Sequence, residues 1–235
     1  MSSKNRSSRR SVVETKPKYD YPNVKPKNIN QSIILSSIEK KPVTLISGSA
    51  GTGKTFLSVV KAIDMLEAGK VHKLVISRPA VTTEQIGFLP GNLEEKMDPL
   101  MGSIFDSITE YRSPKYLEYM LNVEFTLEIA SFAYLRGRTF NSCFILVDEA
   151  QNCTIEQTKM MLTRLGEYST MVITGDTTQS DLKDKSKQDG LTWAISRLKD
   201  CPIVNYIQME DKDIVRSAAL QQLMPYLQEL PYETS

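Results

Sequence analysis

The chain alternates short apolar runs with longer segments in which apolar residues recur at helical spacing. Short apolar runs that are rich in β-branched residues and bounded by polar residues predict buried strands. A run that is apolar throughout, such as Phe144–Val147, indicates burial on both faces, as in a parallel sheet. The segments predicted as strands are Val43–Ile46, Leu74–Ser77, Val123–Ile129, Phe144–Val147, Thr170–Thr174 and Ile203–Met209.

Helices are predicted between these strands, where the apolar period lengthens and capping residues stand at the ends. Thr154 caps one of them, and Gly166 ends it. The predicted helices are Ser32–Glu39 beside the first strand, Phe56–Gly69, Leu93–Tyr111, Pro114–Leu121, Ile155–Gly166, Gly190–Lys199 and a closing helix from Ile214 to Leu230, broken at Pro225. Strands that alternate with helices predict an α/β fold, a layered sheet with right-handed crossovers.

Composition narrows the class of protein. With 40% hydrophobic and 24% charged residues, the chain is ordinary for a globular protein. The net charge of +1 means that any contact with nucleic acid must come from a local basic patch. Residues 1–20 are rich in Ser, Lys and Arg, so we expect a basic, disordered arm before a single domain over residues 21–235. Without an apolar run long enough to span a membrane, we expect a cytoplasmic protein that makes no membrane contact.

A phosphate-binding loop follows the first predicted strand. The segment fits the pattern Gly-x-x-x-x-Gly-Lys-Thr and lies between a strand and a helix, as that loop requires; a glycine-rich turn without a ligand is the alternative. Backbone N–H groups of the loop would face phosphate oxygens at the helix N-terminus. Lys54 would reach the β- and γ-phosphates, and Thr55 would hold Mg²⁺. As a surface-loop residue, Lys54 is expected to contribute little to the core. The nucleotide-binding residues are Gly48, Ser49, Ala50, Gly51, Thr52, Gly53, Lys54 and Thr55.

An acidic pair, Asp148 and Glu149, follows the most apolar strand. An aspartate in this position of a P-loop protein holds Mg²⁺ through water and shares the ion with Thr55. Glu149 would be the base that orients and deprotonates the attacking water. An acidic turn at a helix N-terminus is the alternative, which the upstream loop disfavours. Gln179, just past the fifth predicted strand, could bond the γ-phosphate or the attacking water.

Chemically active residues therefore follow four of the predicted strands. Ligands in open α/β sheets bind at the carboxyl ends of the strands, so we expect these residues to meet at one edge of the sheet. They are Gly48–Thr55, Arg78, Asp148–Glu149 and Gly175–Asp176.

The chain resembles the PhoH-like proteins in several segments that follow the order of that family. These are GSAGTGKT, SRPAV with GFLPGNLEEKMDP, RGRTF, ILVDEAQN, LTRLG and ITGDTTQSDL, from about residue 26 to about residue 220. GFLPG and RGRTF are not shared by P-loop proteins in general. The resemblance implies a RecA-like P-loop NTPase core related to superfamily 1 helicases, with three layers, a mostly parallel central sheet and helices on both faces.

The same resemblance implies ATP and Mg²⁺ as ligands, and ATP hydrolysis that acts on RNA, with helicase activity. Gln31 stands where related helicases read adenine, and an amide can pair with both N6 and N7 of that base. Arg216 resembles the late arginine of the family. The other matched residues are Gly48, Gly51, Gly53, Lys54 and Thr55 in the loop, Asp148, Glu149 and Gln151 in DEAQ, and Gly175, Asp176 and Gln179 in the third motif.

Two departures from the family pattern lie outside the phosphate site. Residues 82–85 read Thr-Thr-Glu-Gln where the family usually has Gly-Glu, and residues 129–131 read Ile-Ala-Ser where a proline is common. They affect substrate contacts more than ATP hydrolysis.

Two functions of different class fit these features. The first is an ATPase that remodels nucleic acid, and the second is an ATP-dependent switch that controls a protein partner without moving along RNA. A small-molecule kinase is disfavoured, because Glu149 and Gln179 favour water as the acceptor.

Arginines after the core strands suggest a surface for single-stranded nucleic acid, RNA rather than DNA. Arg78, Arg136 and Arg138 are the expected contacts, since they lie in polar segments too long for simple connections, and SFAYLRGRTF is too polar for a core element. The arm around Arg9 and Arg10 would add non-specific attraction.

A homo-oligomer is also expected, most simply a hexameric ring. Superfamily 1 helicases close ATP between two RecA-like domains, whereas this chain has residues for one, so an arginine from the next copy would neutralise the γ-phosphate. Arg216 is the first choice for that arginine, with Arg136 and Arg138 as alternatives.

Overall fold

The computed structural model describes residues 24–79, 93–179 and 188–215, together with residues 219, 222 and 223. The strands are β1 (Val43–Ser47), β2 (Lys73–Ser77), β3 (Leu127–Ile129), β4 (Cys143–Val147), β5 (Thr170–Gly175) and β6 (Val204–Gln208). The helices are α1 (Ile29–Ser37), α2 (Lys54–Glu67), α3 (Leu93–Tyr111), α4 (Pro114–Asn122), α5 (Phe132–Leu135), α6 (Ile155–Leu162) and α7 (Gly190–Leu198), with 3₁₀ turns at Ala150–Asn152 and Asp211–Asp213.

The six strands form one sheet in the order β3-β2-β4-β5-β1-β6, and every pairing is parallel. All strand carboxyl ends therefore lie at the same edge. Backbone hydrogen bonds extend past the strands there: Gly48 N donates to Gly175 O, and Asp148 N donates to Ser77 O. This order brings the residues that follow β1, β5, β4 and β2 side by side.

The sheet lies between two helical layers. Successive residues of a strand point to opposite faces, so Leu45 belongs to one apolar cluster and its neighbour Ile46 to the other. Helices α1, α2, α3 and α4 supply the cluster that contains Ile46, and α6 and α7 supply the cluster that contains Leu45. The three-layer α/β architecture expected from the sequence is confirmed.

The boundaries of two predicted elements, α1 and β3, are wrong. Helix α1 begins at Ile29 instead of Ser32, because the side chain of Asn28 accepts a hydrogen bond from Gln31 N and caps the helix earlier. It packs mainly on α2 and β6. Strand β3 is three residues long, not seven, because α4 continues to Asn122 and Phe125 adopts a left-handed backbone with φ 52°.

Gly166 does not end its helix. Helix α6 has the predicted Thr154 cap but stops at Leu162. Gly166 instead lies against the loop before β4, where an added Cβ would be 2.1 Å from Asn141 Oδ1 and 2.3 Å from Phe140 O. The glycine is required by this close approach.

The polar SFAYLRGRTF segment contains a helical turn that the sequence did not predict, α5, and its Leu135 is fully buried. The closing helix does not begin at Ile214, whose backbone is extended, and most of its predicted range lies outside the described residues. The arm over residues 1–20 also lies outside them. Within the described ranges, no helix has the length and apolar character needed to cross a bilayer.

Candidate functional site

A cavity of about 450 Å³ opens at the carboxyl edge of the sheet. This volume is within the usual range for small-ligand sites. Most of the residues expected from the strand ends line it, together with residues of α3 and of the segment before α1; Gly48, Ser49 and Thr52 of the predicted phosphate loop are not among the lining residues. The lining from the strand ends comprises Ala50, Gly51, Gly53, Lys54, Thr55, Arg78, Asp148, Glu149, Gly175, Asp176 and Gln179.

Two glycines of the loop are required by its geometry. Gly48 has φ 147°, and a Cβ there would lie 2.6 Å from both Met209 Cβ and Met209 O, so the loop packs closely on the end of β6. Gly53 has φ 89° in the left-handed region and precedes the first residue of α2. The backbone thus turns directly from strand to helix, and the helix N-terminus faces the cavity.

Lys54 is the first residue of α2 and is more buried than a surface-loop lysine should be, with 9% exposure. Its Nζ donates to Gly48 O at 2.6 Å and to Ser49 O at 2.9 Å. Burial lowers the pKa of Lys54, while the nearby carboxylates of Asp176, Asp148 and Glu149 oppose that shift. Lys54 thus stabilises the loop by donating hydrogen bonds to two of its carbonyls. A bound phosphate would compete with those carbonyls for the ammonium group.

Asp148 has the environment of a metal-associated carboxylate. Its Oδ1 accepts hydrogen bonds from Thr55 Oγ1 at 2.9 Å and from Thr174 Oγ1 at 2.6 Å. Its Oδ2 is buried without a hydrogen-bond partner among the described residues. Burial raises the pKa of Asp148, against the lowering effect of the Thr174 hydrogen bond and of Arg78. A buried carboxylate oxygen that lacks a hydrogen-bond partner among the described residues fits a cation site beside the loop threonine.

Mg²⁺ fits this donor set. The ion usually takes one or two protein oxygens and completes its shell with waters and substrate phosphates. Thr55 and Asp148 supply such oxygens at the end of the phosphate loop. Among the described residues, no group of three or more His, Cys, Asp or Glu side chains is placed to hold a metal ion.

Glu149 is held by two neighbours. Arg78 Nη2 donates to its Oε1 at 2.7 Å, and Gln151 Nε2 donates to its Oε2 at 2.6 Å. Its backbone lies in the left-handed region with φ 57°, which is uncommon for a residue other than glycine. Strained residues of this kind concentrate at functional sites, where the surrounding structure stabilises them.

Gln151 connects Glu149 to the end of β5. It is 4% exposed, and its Oε1 accepts a hydrogen bond from Asp176 N at 3.0 Å. Gly175 permits this approach, because a Cβ there would lie 2.4 Å from Gln151 Oε1. The sequence associated Gln151 with its motif but gave no sign of this contact, which joins residues distant in sequence.

Gln179 lies in a turn beyond β5. Asp176 Oδ1 accepts hydrogen bonds from Thr178 N and Thr178 Oγ1, and Gln179 N donates to Asp176 O at 3.1 Å. The side chain of Gln179 is exposed and lines the cavity. Its position is compatible with contact to a terminal phosphate or water, which remains a prediction.

Gln31 has both ends of its amide bonded within the chain. Its Nε2 donates to Thr52 O at 3.1 Å, and its Oε1 accepts from Lys27 N at 2.8 Å. It lines the cavity and is 5% exposed. These contacts brace the phosphate loop. The amide has a second N–H donor and a second oxygen lone pair, so reading adenine does not require Gln31 to give up either partner, and that role remains a prediction.

The predicted nucleic-acid arginines do not share one environment. Arg78 lies inside the cavity with Glu149. Arg138 is exposed and pairs with Glu128, and Arg136 is exposed at the end of α5. Of these three arginines, Arg78 lines the cavity, and Arg136 and Arg138 do not.

Arg216, Arg9 and Arg10 lie outside the described residues. The roles predicted for these three arginines remain predictions.

Several lining residues were missed by sequence reasoning. Phe56 follows Thr55 directly, and its place one residue beyond the loop motif could have indicated a cavity position. Ser103, Ser107 and Glu110 reach the site only because α3 packs on α2, a long-range arrangement without a local sequence signal.

Comparison with known proteins supports the motif assignment. The family model described as PhoH-like protein matches residues 23–228. The chain belongs to the PhoH-like family. Its P-loop and parallel sheet agree with that membership.

This PhoH-like chain has relatives in several bacteria. It is 41% identical over 202 residues to a PhoH-like protein of Synechocystis sp. and 38% identical over 202 residues to one of Mycobacterium tuberculosis. It is also 38% identical over 200 residues to Protein PhoH of Escherichia coli K12. These alignments cover 86%, 86% and 84% of this chain but 61%, 57% and 56% of the relatives, so the chain spans little more than half their length.

Solved structures give weaker likenesses. A Pif1 helicase from Candida albicans matches at 13% identity and a TM-score of 0.44, over 84% of this chain and 42% of the helicase. A SWI2/SNF2 ATPase core from Sulfolobus solfataricus, in complex with dsDNA, matches at 15% identity and a TM-score of 0.41, over 81% of this chain and 47% of that chain. Scores this low are too weak to support an inference about this chain.

Proposed function

We propose that this PhoH-like protein binds ATP with Mg²⁺ in the cavity at the carboxyl edge of the sheet and hydrolyses it. The observation that carries the proposal is the hydrogen bond of 2.9 Å between Thr55 Oγ1 and Asp148 Oδ1, with Lys54 and Glu149 lining the same cavity. A loop threonine, an acidic strand end and a lysine in this arrangement are the parts that phosphoryl transfer to water requires.

Each residue has a distinct task in this proposal. The N–H groups of the loop and the α2 N-terminus attract the phosphates. Lys54 exchanges the carbonyls of Gly48 and Ser49 for phosphate oxygens. Thr55 and Asp148 would hold Mg²⁺, which supplies charge neutralisation at the phosphates when bound. Glu149 orients water and takes its proton.

Hydrolysis is tested by replacing Lys54. We expect Lys54→Ala to abolish ATP turnover, because no other group of the loop offers a positive side chain to the phosphates. Lys54 also bonds loop carbonyls, so circular dichroism and thermal unfolding should be measured beside turnover. Near-normal turnover by a folded Lys54→Ala protein would reject the proposed function.

Coupling to single-stranded RNA is the finer part of the proposal. Its support is the motif order shared with the PhoH-like proteins, together with exposed arginines after β3 such as Arg136. Turnover of ATP should rise several-fold with single-stranded RNA and less with single-stranded DNA of equal length. Turnover that ignores both polymers at every length would favour the ATP-dependent switch.

Assembly into a homo-oligomer, with a hexameric ring as the favoured form, belongs to the same proposal. Its support is chemical, since an arginine on the γ-phosphate contributes about 10³-fold or more in rate and a second copy could supply Arg216, Arg136 or Arg138. Mixing Lys54→Ala with Arg216→Ala subunits should restore part of the activity if Arg216 acts on the neighbouring nucleotide. A monomer by light scattering under turnover conditions would reject the ring.

A further inference from the structure

Arg78 has a position that its sequence context did not indicate. It follows β2 directly, and its side chain is 20% exposed. Nη2 lies 2.7 Å from Glu149 Oε1 and 3.9 Å from Asp148 Oδ2, and Nη1 lies 3.4 Å from Ser103 Oγ on α3. The guanidinium therefore lies between the two carboxylates that follow β4 and the helix that closes the cavity.

The charges around the cavity explain why Arg78 lies there. Four carboxylates line it: Asp148, Glu149 and Asp176 at the strand ends, and Glu110 on α3. Oδ2 of both aspartates is buried without a hydrogen-bond partner among the described residues. Lys54 faces the carbonyls of its own loop. Among the described residues, Arg78 is the cation that forms ion pairs with both carboxylates after β4, at 2.7 Å to Glu149 and 3.9 Å to Asp148.

A terminal phosphate would be a better partner for Arg78 than Glu149 is. The guanidinium contacts Glu149 through one nitrogen, Nη2, and the side chain of Glu149 is 37% exposed. This pair is only partly buried and uses one nitrogen, whereas an arginine can bind a phosphate bidentately, and a terminal phosphate carries more negative charge than a carboxylate. The long arginine side chain can change partner without moving β2.

We propose that Arg78 binds the γ-phosphate of ATP held by its own chain and releases Glu149 when it does so. This inference rests on the proposed ATP hydrolysis and adds a phosphate-binding arginine supplied in cis. Arg78 is therefore a sensor of the third phosphate, a role different from the nucleic-acid contact predicted from sequence.

The release of Glu149 makes it available to water. The water oxygen forms a bond to the γ-phosphorus, and the bond from that phosphorus to the β,γ-bridging oxygen breaks, with its electron pair leaving on ADP. The proton of the water passes to the Glu149 carboxylate and then to solvent, so the products are ADP and inorganic phosphate. Arg78 stabilises the negative charge on the transferring phosphoryl group.

The test compares ligands that differ by one phosphate. Affinities for ADP and for a non-hydrolysable ATP analogue are measured with Mg²⁺ in wild type, Arg78→Ala and Arg78→Lys, and kcat is measured at saturating ATP. We expect Arg78→Ala to leave ADP affinity unchanged, to weaken the analogue roughly tenfold or more and to lower kcat about 10²-fold or more. Arg78→Lys should give intermediate values, since lysine keeps the charge but loses the bidentate geometry.

Lys70→Ala is the matched control. Lys70 pairs with Glu39 at 2.8 Å outside the cavity, so its replacement removes a cation–glutamate pair without touching the site. It should leave both affinities and kcat unchanged.

A second variant tests the exchange itself. Glu149→Gln removes the charge that competes for Arg78, so it should bind the ATP analogue several-fold more tightly than wild type without tighter ADP binding. The gain should vanish in the double variant with Arg78→Ala. These binding measurements keep the proposal testable even if Arg78→Ala alone folds poorly.

Three results would overturn the inference. Equal weakening of ADP and analogue would make Arg78 structural. If Arg78→Ala keeps the basal kcat but loses stimulation by RNA, Arg78 is a nucleic-acid contact. If Arg78→Ala raises the basal kcat, Arg78 only inhibits Glu149 by pairing with it. Lys54→Ala distinguishes a failure of the proposed ATP hydrolysis from a failure of the role proposed for Arg78. A normal rate of ATP hydrolysis in Lys54→Ala would reject hydrolysis at this site, whatever the Arg78 variants show.

Discussion

Gly175→Ala isolates the contact that joins Glu149 to the end of β5. A Cβ at Gly175 would lie 2.4 Å from Gln151 Oε1, 3.1 Å from Gln151 N and 2.7 Å from Leu191 Cδ2. Gly175 has no positive φ, so alanine introduces crowding without backbone strain. Because Gln151 N belongs to the backbone of the 3₁₀ turn, the crowding cannot be relieved by rotating one side chain.

Gly175→Ala should lower both the free energy of unfolding and kcat. Overpacking at a buried site costs about 1–3 kcal/mol of unfolding free energy. Displacing Gln151 also removes its hydrogen bonds to Asp176 N and to the Glu149 carboxylate. A hydrogen bond to a charged group contributes about 1.5–3 kcal/mol, so a misplaced Glu149 should lower kcat by roughly tenfold to a hundredfold.

Urea unfolding and ATP turnover measure the two effects separately. Gly102→Ala is the matched control, since Gly102 lies in α3 and a Cβ there meets nothing within 4 Å. That control should be more stable by about 0.4–1 kcal/mol, because alanine favours the helix. If Gly175→Ala is as stable as Gly102→Ala and keeps the wild-type kcat, the reasoning about Gln151 is refuted.

Three further predictions test other parts of the account. Gln31→Ala removes the hydrogen bond from Gln31 Nε2 to Thr52 O in the phosphate loop, so it should raise KM for ATP about tenfold. It should also reduce the preference for ATP over GTP, and an unchanged KM would contradict this prediction. Cys153 is 1% exposed, and burial raises its pKa to about 12, whereas Cys201 is half-buried. A thiol reagent at about pH 8 should therefore modify Cys201 before Cys153, as followed by mass spectrometry. Equal rates of modification at the two thiols would contradict the core described here. Replacing Arg136 and Arg138 together by alanine should reduce the slope of log affinity for single-stranded RNA against log salt by about 0.7 per lost contact, and an unchanged slope would place the surface elsewhere.

Sequence reasoning predicted the parts of the fold that are encoded locally. Apolar runs such as Phe144–Val147 and capping residues such as Thr154 specify an element from a few neighbouring residues. The phosphate loop and the acidic pair after β4 were found in the same way. Their convergence followed from one general rule, that parallel strands end at the same edge of a sheet.

The remainder depends on contacts between segments distant in sequence. The left-handed turn at Phe125 shortens β3, and a bulky residue there gives no sign of positive φ. Gly166 looked like a helix end because glycine is common there, but it is required by the close approach of Phe140. The pairing of Arg78 with Glu149, 71 residues further along the chain, also had no sequence signal, and the nucleic-acid contact predicted for Arg78 remains a prediction.

Glu149→Gln is the most direct test of ATP hydrolysis in this cavity, because Glu149 is the carboxylate proposed to activate water. The amide keeps the shape of the side chain but cannot accept the proton of water. ATP binding and single-turnover hydrolysis should be measured on the same preparation with Mg²⁺. The variant should bind ATP several-fold more tightly than wild type does, and its hydrolysis should be slower by about 10²-fold to 10⁴-fold. Hydrolysis at the wild-type rate, or loss of ATP binding together with loss of hydrolysis, would contradict this proposal.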